Sequence, residues 1–394
     1  MGREVPRLEP ISPVGAQSLA PDADNDTMPS MQPAAPGVSR RQDLRHLAAW
    51  FLVGVAVAVL LQWLQVRALG GDWTGLVNAG QQSSLRSLIE AELGPVATVG
   101  QAGHDGQFSF LIALDPLGQG PAPDLFDHGA YRYRRILLPA LGGGFGLWGG
   151  EAALLGLVVW TAVGMGLATA AIADLGGDMG TRPWVVAGVL ANPGVWLSVQ
   201  LLTPDVLALG LALTGAALWR RGLRIWGMMT LALAALAKDQ YLLVATGLAG
   251  WEWFRAHRRP AVALVLGAVT PLAMWSIWLT ATMGEGLTPR GNFSLPLVGI
   301  LDAAKGWAVT GAKDVTFSLI ATGGLLLAAV VSLLVRSAFL RWLTWPWVVL
   351  AVVSSGWVWN LGNNSLRVFA PLLTVAVLGA GSLIGPRSPV EAPA

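Results

Sequence analysis

The chain has 394 residues, 54% of them hydrophobic and only 12% charged, with a net charge of +2. Soluble domains carry about 25% charged residues, so this composition excludes an ordinary soluble protein and describes an integral membrane one. Cysteine is absent, which excludes disulfides, a thiol nucleophile and cysteine-ligated metal.

Residues 1–42 are rich in Pro, Ala, Ser and Asp and lack apolar periodicity; they read as a disordered cytoplasmic tail. The apolar stretch begins only near Leu47, which argues against a cleaved signal peptide. A span over 47–66 follows Arg40, Arg41 and Arg45. It is long enough to cross a bilayer, and the positive-inside rule puts the N-terminus in the cytoplasm. Residues 67–146 then form a long first extracytoplasmic loop, with glycines, prolines and scattered charges suited to short helices on the membrane surface. Within it, Gln81 to Leu93 has the pattern of an amphipathic helix. Further spans are expected at 147–173, 183–201 and 204–219, the last closed by Arg220, Arg221 and Arg224.

The segment 225–254 carries Lys238-Asp239-Gln240 at its centre. Arginines flank both ends: Arg220, Arg221 and Arg224 before, Arg255, Arg258 and Arg259 after. A single crossing would put one cluster outside, so the pattern favours a hairpin of two short helices with Lys238 and Asp239 at the outer turn. Halves of about 13–15 residues rise only about 20 Å, which leaves a recessed polar floor. Spans follow at 260–280, 317–335, 344–359 and 368–385, with a second outer loop at 281–316 and a short polar turn from Asn360 to Arg367. Residues 387–394 are a C-terminal tail. Residues 43–386 are therefore expected to form an all-α polytopic membrane domain of about ten transmembrane helices, with both termini cytoplasmic. Of the 19 tryptophans, Trp342, Trp345, Trp347, Trp357 and Trp359 fall near expected span ends, as in an interfacial belt. No internal repeat of the transporter kind is visible.

This topology gathers His104, Asp105, Asp115, the arginines of 132–135, Asp205, Lys238, Asp239 and Arg367 on one face. Gly103 and Gly106 leave the backbone free to present Asp105 in a tight turn. Its carboxylate suits a general base or a divalent cation, Mg or Mn, on a phosphate; it equally suits a helix cap. His104 beside it is a second catalytic candidate or a structural histidine, and Gln107 ends the same run. In Tyr131-Arg132-Tyr133-Arg134-Arg135 the arginines suit bidentate phosphate binding or snorkelling to headgroups. Asp205 follows Pro204 at a helix start, where capping alone would explain it. Lys238 suits a phosphate, or forms a buried couple with Asp239; an ionisable residue at this depth is a functional candidate by default. Arg367 suits the same phosphate or a headgroup anchor.

No nucleotide-binding glycine loop and no H-E-x-x-H zinc motif occurs, and nothing points to nucleic acid. The runs Gly103–Phe108, Tyr131–Pro139, Thr203-Pro204-Asp205, Ala237-Lys238-Asp239 and Arg367–Pro371, in this order, resemble the GT-C superfamily of integral membrane glycosyltransferases, notably bacterial mannosyltransferase-like members. The resemblance covers most of residues 45–385. It implies inverting transfer of a hexose from a polyprenyl-phosphate sugar donor to a glycan or lipid acceptor, at the outer face of the bacterial cytoplasmic (inner) membrane. It makes Asp105 the base, with His104 beside it. The substrate-binding set it implies is Gln107, Tyr131, Arg132, Arg134, Arg135, Asp205, Lys238, Asp239 and Arg367. Many members carry two acids close together in the first loop. Here Asp105 stands alone, with Asp115 further along, so a divalent cation at Asp105 is left open and no cofactor is assigned. Membrane lipids are the other expected partners. The rival reading is a multi-span transporter or lipid flippase, which would line a through-path with charge; a scaffold would scatter its charges.

Overall fold

The computed structural model describes residues 38–284, 291–307 and 312–384. The chain divides at Gln42–Asp43 into two units, and the architecture below is that of Asp43–Ala394. The tail expected before residue 38, the tail expected at 387–394 and parts of the expected second outer loop lie outside the described residues. Among those described, everything regular is helical, apart from two isolated bridges, Ala79–Gly103 and Phe293–Ser354.

Helix α1 (Val38–Ala68) is followed by five short ones: α2 (Arg86–Leu93), α3 (Gly106–Leu114), α4 (Ala122–Leu125), α5 (Gly129–Tyr133) and α6 (Leu137–Gly142). They pack on one another. Leu76, Ile89, Phe110, Tyr133 and Leu138 form a buried core that packs on Leu154 and Leu157 of α7 (Gly150–Asp178). The expected helix at 81–93 begins only at Arg86. Ser83 accounts for the late start. Its hydroxyl donates to Gln107 Oε1 at 2.8 Å and accepts the Leu85 N–H at 3.3 Å, which keeps the preceding residues in a turn.

The expected span at 183–201 is broken into a 3-10 turn (Pro183–Val186), α8 (Ala187–Leu190) and α9 (Pro193–Gln200). Asn192 Oδ1 accepts from Gly194 N at 3.0 Å and so caps α9, while Pro193 has no N–H with which to continue α8. Helix α10 (Asp205–Arg220) then packs along α7 at a spacing only glycine permits: a Cβ on Gly210 would lie 2.2 Å from Gly164 O.

Helices α11 (Arg224–Ala237) and α12 (Leu242–Phe254) are separated by a break at Lys238 and a 3-10 turn, Asp239–Tyr241. Arg224 Nη2 lies 4.0 Å from Glu252 Oε1. The first residue of α11 thus meets the last turn of α12, which makes the pair a hairpin. Its arms of 14 and 13 residues rise about 20 Å each, short of a hydrocarbon core of about 30 Å. Lys238, at the tip, is buried.

The remaining helices are α13 (Arg258–Met283), α14 (Val298–Trp307), α15 (Ala312–Leu334), α16 (Ala338–Val353), α17 (Gly356–Trp359), α18 (Gly362–Val368) and α19 (Ala370–Ile384). The expected span at 344–359 is displaced: α16 both starts and stops earlier. Ser294 N and Leu297 N donate to Val353 O and Val352 O, each at 2.8 Å. A turn well upstream thereby takes up carbonyls that a helix end leaves unpaired. The last expected span, 368–385, is α19; the polar turn expected before it is instead helical, α18 meeting α19 at a bend of 62° with Arg367 just before it. Among the described residues, four helices are long and apolar enough to cross a membrane, or up to five if the bent pair counts as one. The apolar windows of α1 and α13 are only 22% buried, so most of their side chains face outward, as lipid contact requires.

Candidate functional site

Asp105 occupies the position before α3, yet its side chain caps nothing. Instead Arg132 Nη1 from α5 donates to one carboxylate oxygen at 3.0 Å, and Arg367 Nη2 from α18 donates to the other at 2.6 Å. Arg132 also grips Asp127 in a fork, at 2.9 and 2.8 Å, with its guanidinium 4.0 Å from the centre of the Phe108 ring. Arg367 Nε lies 3.7 Å from Asp205 Oδ2. Asp205 does not cap α10 either; its carboxylate is ion-paired with Lys238 Nζ at the hairpin tip. Two further bonds hold that tip. Tyr241 Oη donates to Asp205 O at 3.0 Å, and Gln240 Nε2 donates to Val368 O at 3.1 Å. Asp127, Arg132, Asp105, Arg367, Asp205 and Lys238 therefore form one chain of alternating charge. It runs from the exposed Asp127 to the fully buried Lys238.

Two further arginines stand beside this chain. Arg134 is ion-paired with Asp239. Arg135 donates to Tyr131 Oη and lies 4.5 Å from the Tyr131 ring centre, with no carboxylate within 4 Å among the described residues. The Nε atoms of Arg134, Arg135 and Arg367 are all buried without a hydrogen-bond acceptor. Such a donor costs about 1–3 kcal/mol when left unmade. Five cations (Arg132, Arg134, Arg135, Lys238, Arg367) face four carboxylates (Asp105, Asp127, Asp205, Asp239). Arg135 is the surplus one.

Burial alone would raise the pKa of Asp105, but Arg367, Arg132 and Arg135 pull it down further, and the carboxyl stays well below the usual carboxylate range. It is ionised at any ordinary pH and is a weak base. His104 is half-buried; burial lowers its pKa, against the opposing pull of Asp105. The imidazole is thus neutral at pH 7, and its ring has no hydrogen-bond partner among the described residues. Asp127 is lowered chiefly by its hydrogen bond from Arg132.

A cavity of about 20 Å³, room for one water molecule, is lined by Asp105, Phe108, Ser109, Arg132, Arg135 and Pro204. A second, of about 310 Å³, is lined by Gly118, Gln119, Gly120, Asp124, Gly129 and Thr282; through Gly129 it shares α5 with the arginine site. The residues around Asp105 do not fit a divalent cation. Both carboxylate oxygens are held by guanidinium groups, and no cluster of three His, Asp or Glu side chains occurs among the described residues.

The structure brings together Asp105, Arg132, Arg134, Arg135, Asp205, Lys238, Asp239 and Arg367, with Tyr131 as the platform under Arg135. Gln107 is not among them: it accepts from Ser83 and donates to Ala102 O at 3.0 Å, closing the turn before α3. Lys238 and Asp239 are not a couple; each pairs with a different helix. Asp115 accepts from the N–H groups of Gln119 and Gly120 and fixes a turn. Sequence reasoning gave no site role to Asp127, Phe108, Gln240 or Tyr241. The available signal was an acid five residues before Arg132, and polar residues next to Lys238 at a helix break. No family model, no curated protein and no solved structure matches the chain.

Proposed function

We propose that the chain is a membrane glycosyltransferase. It moves a hexose, with inversion, from a polyprenyl-phosphate donor to a glycan or lipid acceptor, as its resemblance to the GT-C superfamily implies. The observation that carries this reading is the surplus of buried guanidinium donors beside Asp105. Arg135 lacks a carboxylate, and three Nε–H groups lack acceptors. A phosphate supplies the missing charge and oxygens in one group. Metal-free binding agrees with the two guanidinium groups that already hold the Asp105 carboxylate.

In this mechanism Arg135, with Arg134 and Arg367, holds the donor phosphate and offsets its charge as the glycosidic C–O bond breaks. The acceptor hydroxyl oxygen forms the new bond to the anomeric carbon, and the lipid phosphate departs. Asp105 orients the hydroxyl through a remaining lone pair. Because it is a weak base, it takes the proton late, once bond formation has made the hydroxyl acidic. The 20 Å³ cavity is smaller than a sugar, so donor binding spreads the arginines. The larger cavity has the size of a small-ligand site and suits an acceptor sugar.

The topology proposed with this function has about ten crossings, counting the hairpin arms and the shorter helices, with both termini cytoplasmic in a bacterial inner membrane. The site then faces outward. Gathering of the charges at one end of α10, rather than along a path through the helices, supports the enzyme over a transporter or flippase.

The test is transfer from a panel of radiolabelled polyprenyl-phosphate sugars into membrane extract, by wild type and by Arg135→Gln. Transfer by the wild type that falls sharply in the folded variant supports the reading. Absence of transfer from every donor, in extracts shown to contain competent acceptor, would overturn it and leave transport as the better account.

A further inference from the structure

The far end of α10 gathers a second set of arginines. Three of them are paired: Arg220 with Asp178, Arg221 with Asp174 and Arg224 with Glu252. Glu252 is saturated, because it also accepts from Trp219 Nε1 at 2.8 Å and lies 2.7 Å from His257 Nδ1. Five more arginines at these helix ends, Arg255, Arg258, Arg259, Arg336 and Arg341, are exposed. None has a carboxylate within 4 Å among the described residues.

Contacts bind these ends into one corner. Phe254 stacks on Trp342 with ring centres 4.9 Å apart, and Arg220 lies over Phe339. The turn between α12 and α13 is its most exposed part. Arg255 is held over Trp251 at 4.5 Å and Arg258 over Trp253 at 5.5 Å. Trp253 and Phe254 are themselves exposed, Phe254 by 75%. Beside them on α11, Ile225 and Trp226 are exposed as well. Arginines next to outward-facing aromatic rings have the composition of a membrane–water boundary.

The depth of this corner follows from α13. Arg258 is the first residue of that helix, which is apolar enough to cross a membrane and buries little of its apolar window. The turn before it must therefore lie in the headgroup layer. A cluster of guanidinium groups without carboxylate partners, at that depth, meets lipid phosphates first. We infer that the α12–α13 turn, with Arg336 and Arg341 beside it, is a binding site for anionic phospholipid headgroups.

The site has a mechanical consequence. The same turn is the base of the α11–α12 hairpin, whose tip carries Lys238 and Asp239. An α-helix of 13 residues is a rod of about 20 Å. Fixing its base in the headgroup layer fixes the depth of Lys238. The inference rests on the basic corner alone and does not depend on the transferase reading.

The experiment compares the full chain in nanodiscs of phosphatidylcholine with and without phosphatidylglycerol. Native mass spectrometry reads the lipid retained, and thermal unfolding reads the protein. Wild type is expected to retain phosphatidylglycerol over phosphatidylcholine, with selectivity worth about fivefold per engaged arginine, and to unfold at a higher temperature when it is present. The triple variant Arg255→Gln, Arg258→Gln, Arg259→Gln is expected to lose most of that selectivity and keep the wild-type unfolding temperature in phosphatidylcholine. No selectivity in the wild type, or full selectivity in the triple variant, overturns the proposal. Should the triple variant fail to fold, wild type in rising salt decides: exposed pairs are screened within about 10 Å at 0.1 M, and selectivity unchanged at high salt overturns it. Loss of bound lipid to millimolar glycerol phosphate would assign the corner to free anions instead.

Discussion

Arg367 Nη2 donates to Asp105 Oδ2 at 2.6 Å, joining residues 262 positions apart. The bond ties the small core between α1 and α7 to the last, bent pair of helices. Through its Nε, the same guanidinium also faces Asp205. Arg367→Gln leaves Asp105 with Arg132 alone and Asp205 with Lys238 alone. The side chains of Arg367 and Asp105 are 11% and 26% exposed, so the change is expected to cost about 3 kcal/mol, as when a buried pair loses one partner. Arg367→Lys recovers part, since a point charge cannot bridge both acids. Arg86→Gln, which breaks the exposed Arg86–Glu90 pair, should cost under about 1 kcal/mol. Thermal unfolding in detergent measures all three. Equal, small effects would mean that the Arg367 network does not hold the fold together.

Arg135 should behave in the opposite way. It has no carboxylate to orphan, so Arg135→Gln is expected to leave the unfolding temperature unchanged or higher. Ligand binding is where it should fail. Losing a charge-assisted hydrogen bond of about 1.5–3 kcal/mol weakens donor binding about tenfold or more. Protection of the protein by a polyprenyl phosphate against thermal unfolding reads this directly. A fall in stability as large as that of Arg367→Gln would make Arg135 a structural residue and remove the surplus cation from the site.

The contrast between these two arginines was invisible in the sequence, where both are simply basic residues near apolar runs. What the sequence did contain was placement. The arginine clusters on either side of 225–254 pointed to a hairpin, because a single crossing has to separate them. Pairing was not legible. Lys238 and Asp239 are adjacent, but the helix breaks at Lys238, with φ −156° and ψ 118°, and the two side chains diverge to Asp205 and Arg134. The early end of α16 was equally hidden. It depends on Ser294 and Leu297, some 55 residues upstream, reaching its last carbonyls. Non-local hydrogen bonds of this kind leave no periodic trace.

Stability should respond to pH through His104 before it responds through Asp105. Burial lowers the His104 pKa below its ordinary 6.5. As pH falls through that value the unfolded chain takes up a proton that the folded chain refuses, so stability declines with acid in this window. Asp105 acts in the same direction but at lower pH. Its folded pKa lies well below the ordinary carboxylate value of about 3.9. Its contribution is therefore fully present above that value and is lost only as the pH falls further, through the folded pKa. Below about pH 6.5, His104→Asn should flatten the slope of unfolding temperature against pH. Asp105→Asn should lower the whole curve there and, by removing the carboxylate that opposes the His104 shift, leave its slope at least as steep. An unchanged slope in His104→Asn would show that the imidazole is not held neutral by the fold.

The hairpin gives the most direct test of topology, and the absence of native cysteine makes it clean. Leu223 lies just before α11 and Phe254 ends α12, and both are exposed. If 224–254 is a hairpin in the membrane, Leu223→Cys and Phe254→Cys must be labelled by an impermeant maleimide from the same side. A residue near the tip should resist labelling from that side, because each arm places it about 20 Å away. Gln240→Cys is the suitable probe: it is half-buried and bonds only the Val368 carbonyl, so replacing it breaks no ion pair. A single straight crossing predicts opposite-side labelling of Leu223→Cys and Phe254→Cys. That result would contradict the contact between Arg224 and Glu252, and it would move Lys238 from the floor of a recessed site to the middle of a span. There the Lys238–Asp205 pair would have to be read as part of a path across the membrane, and the transporter reading would gain what the transferase reading lost.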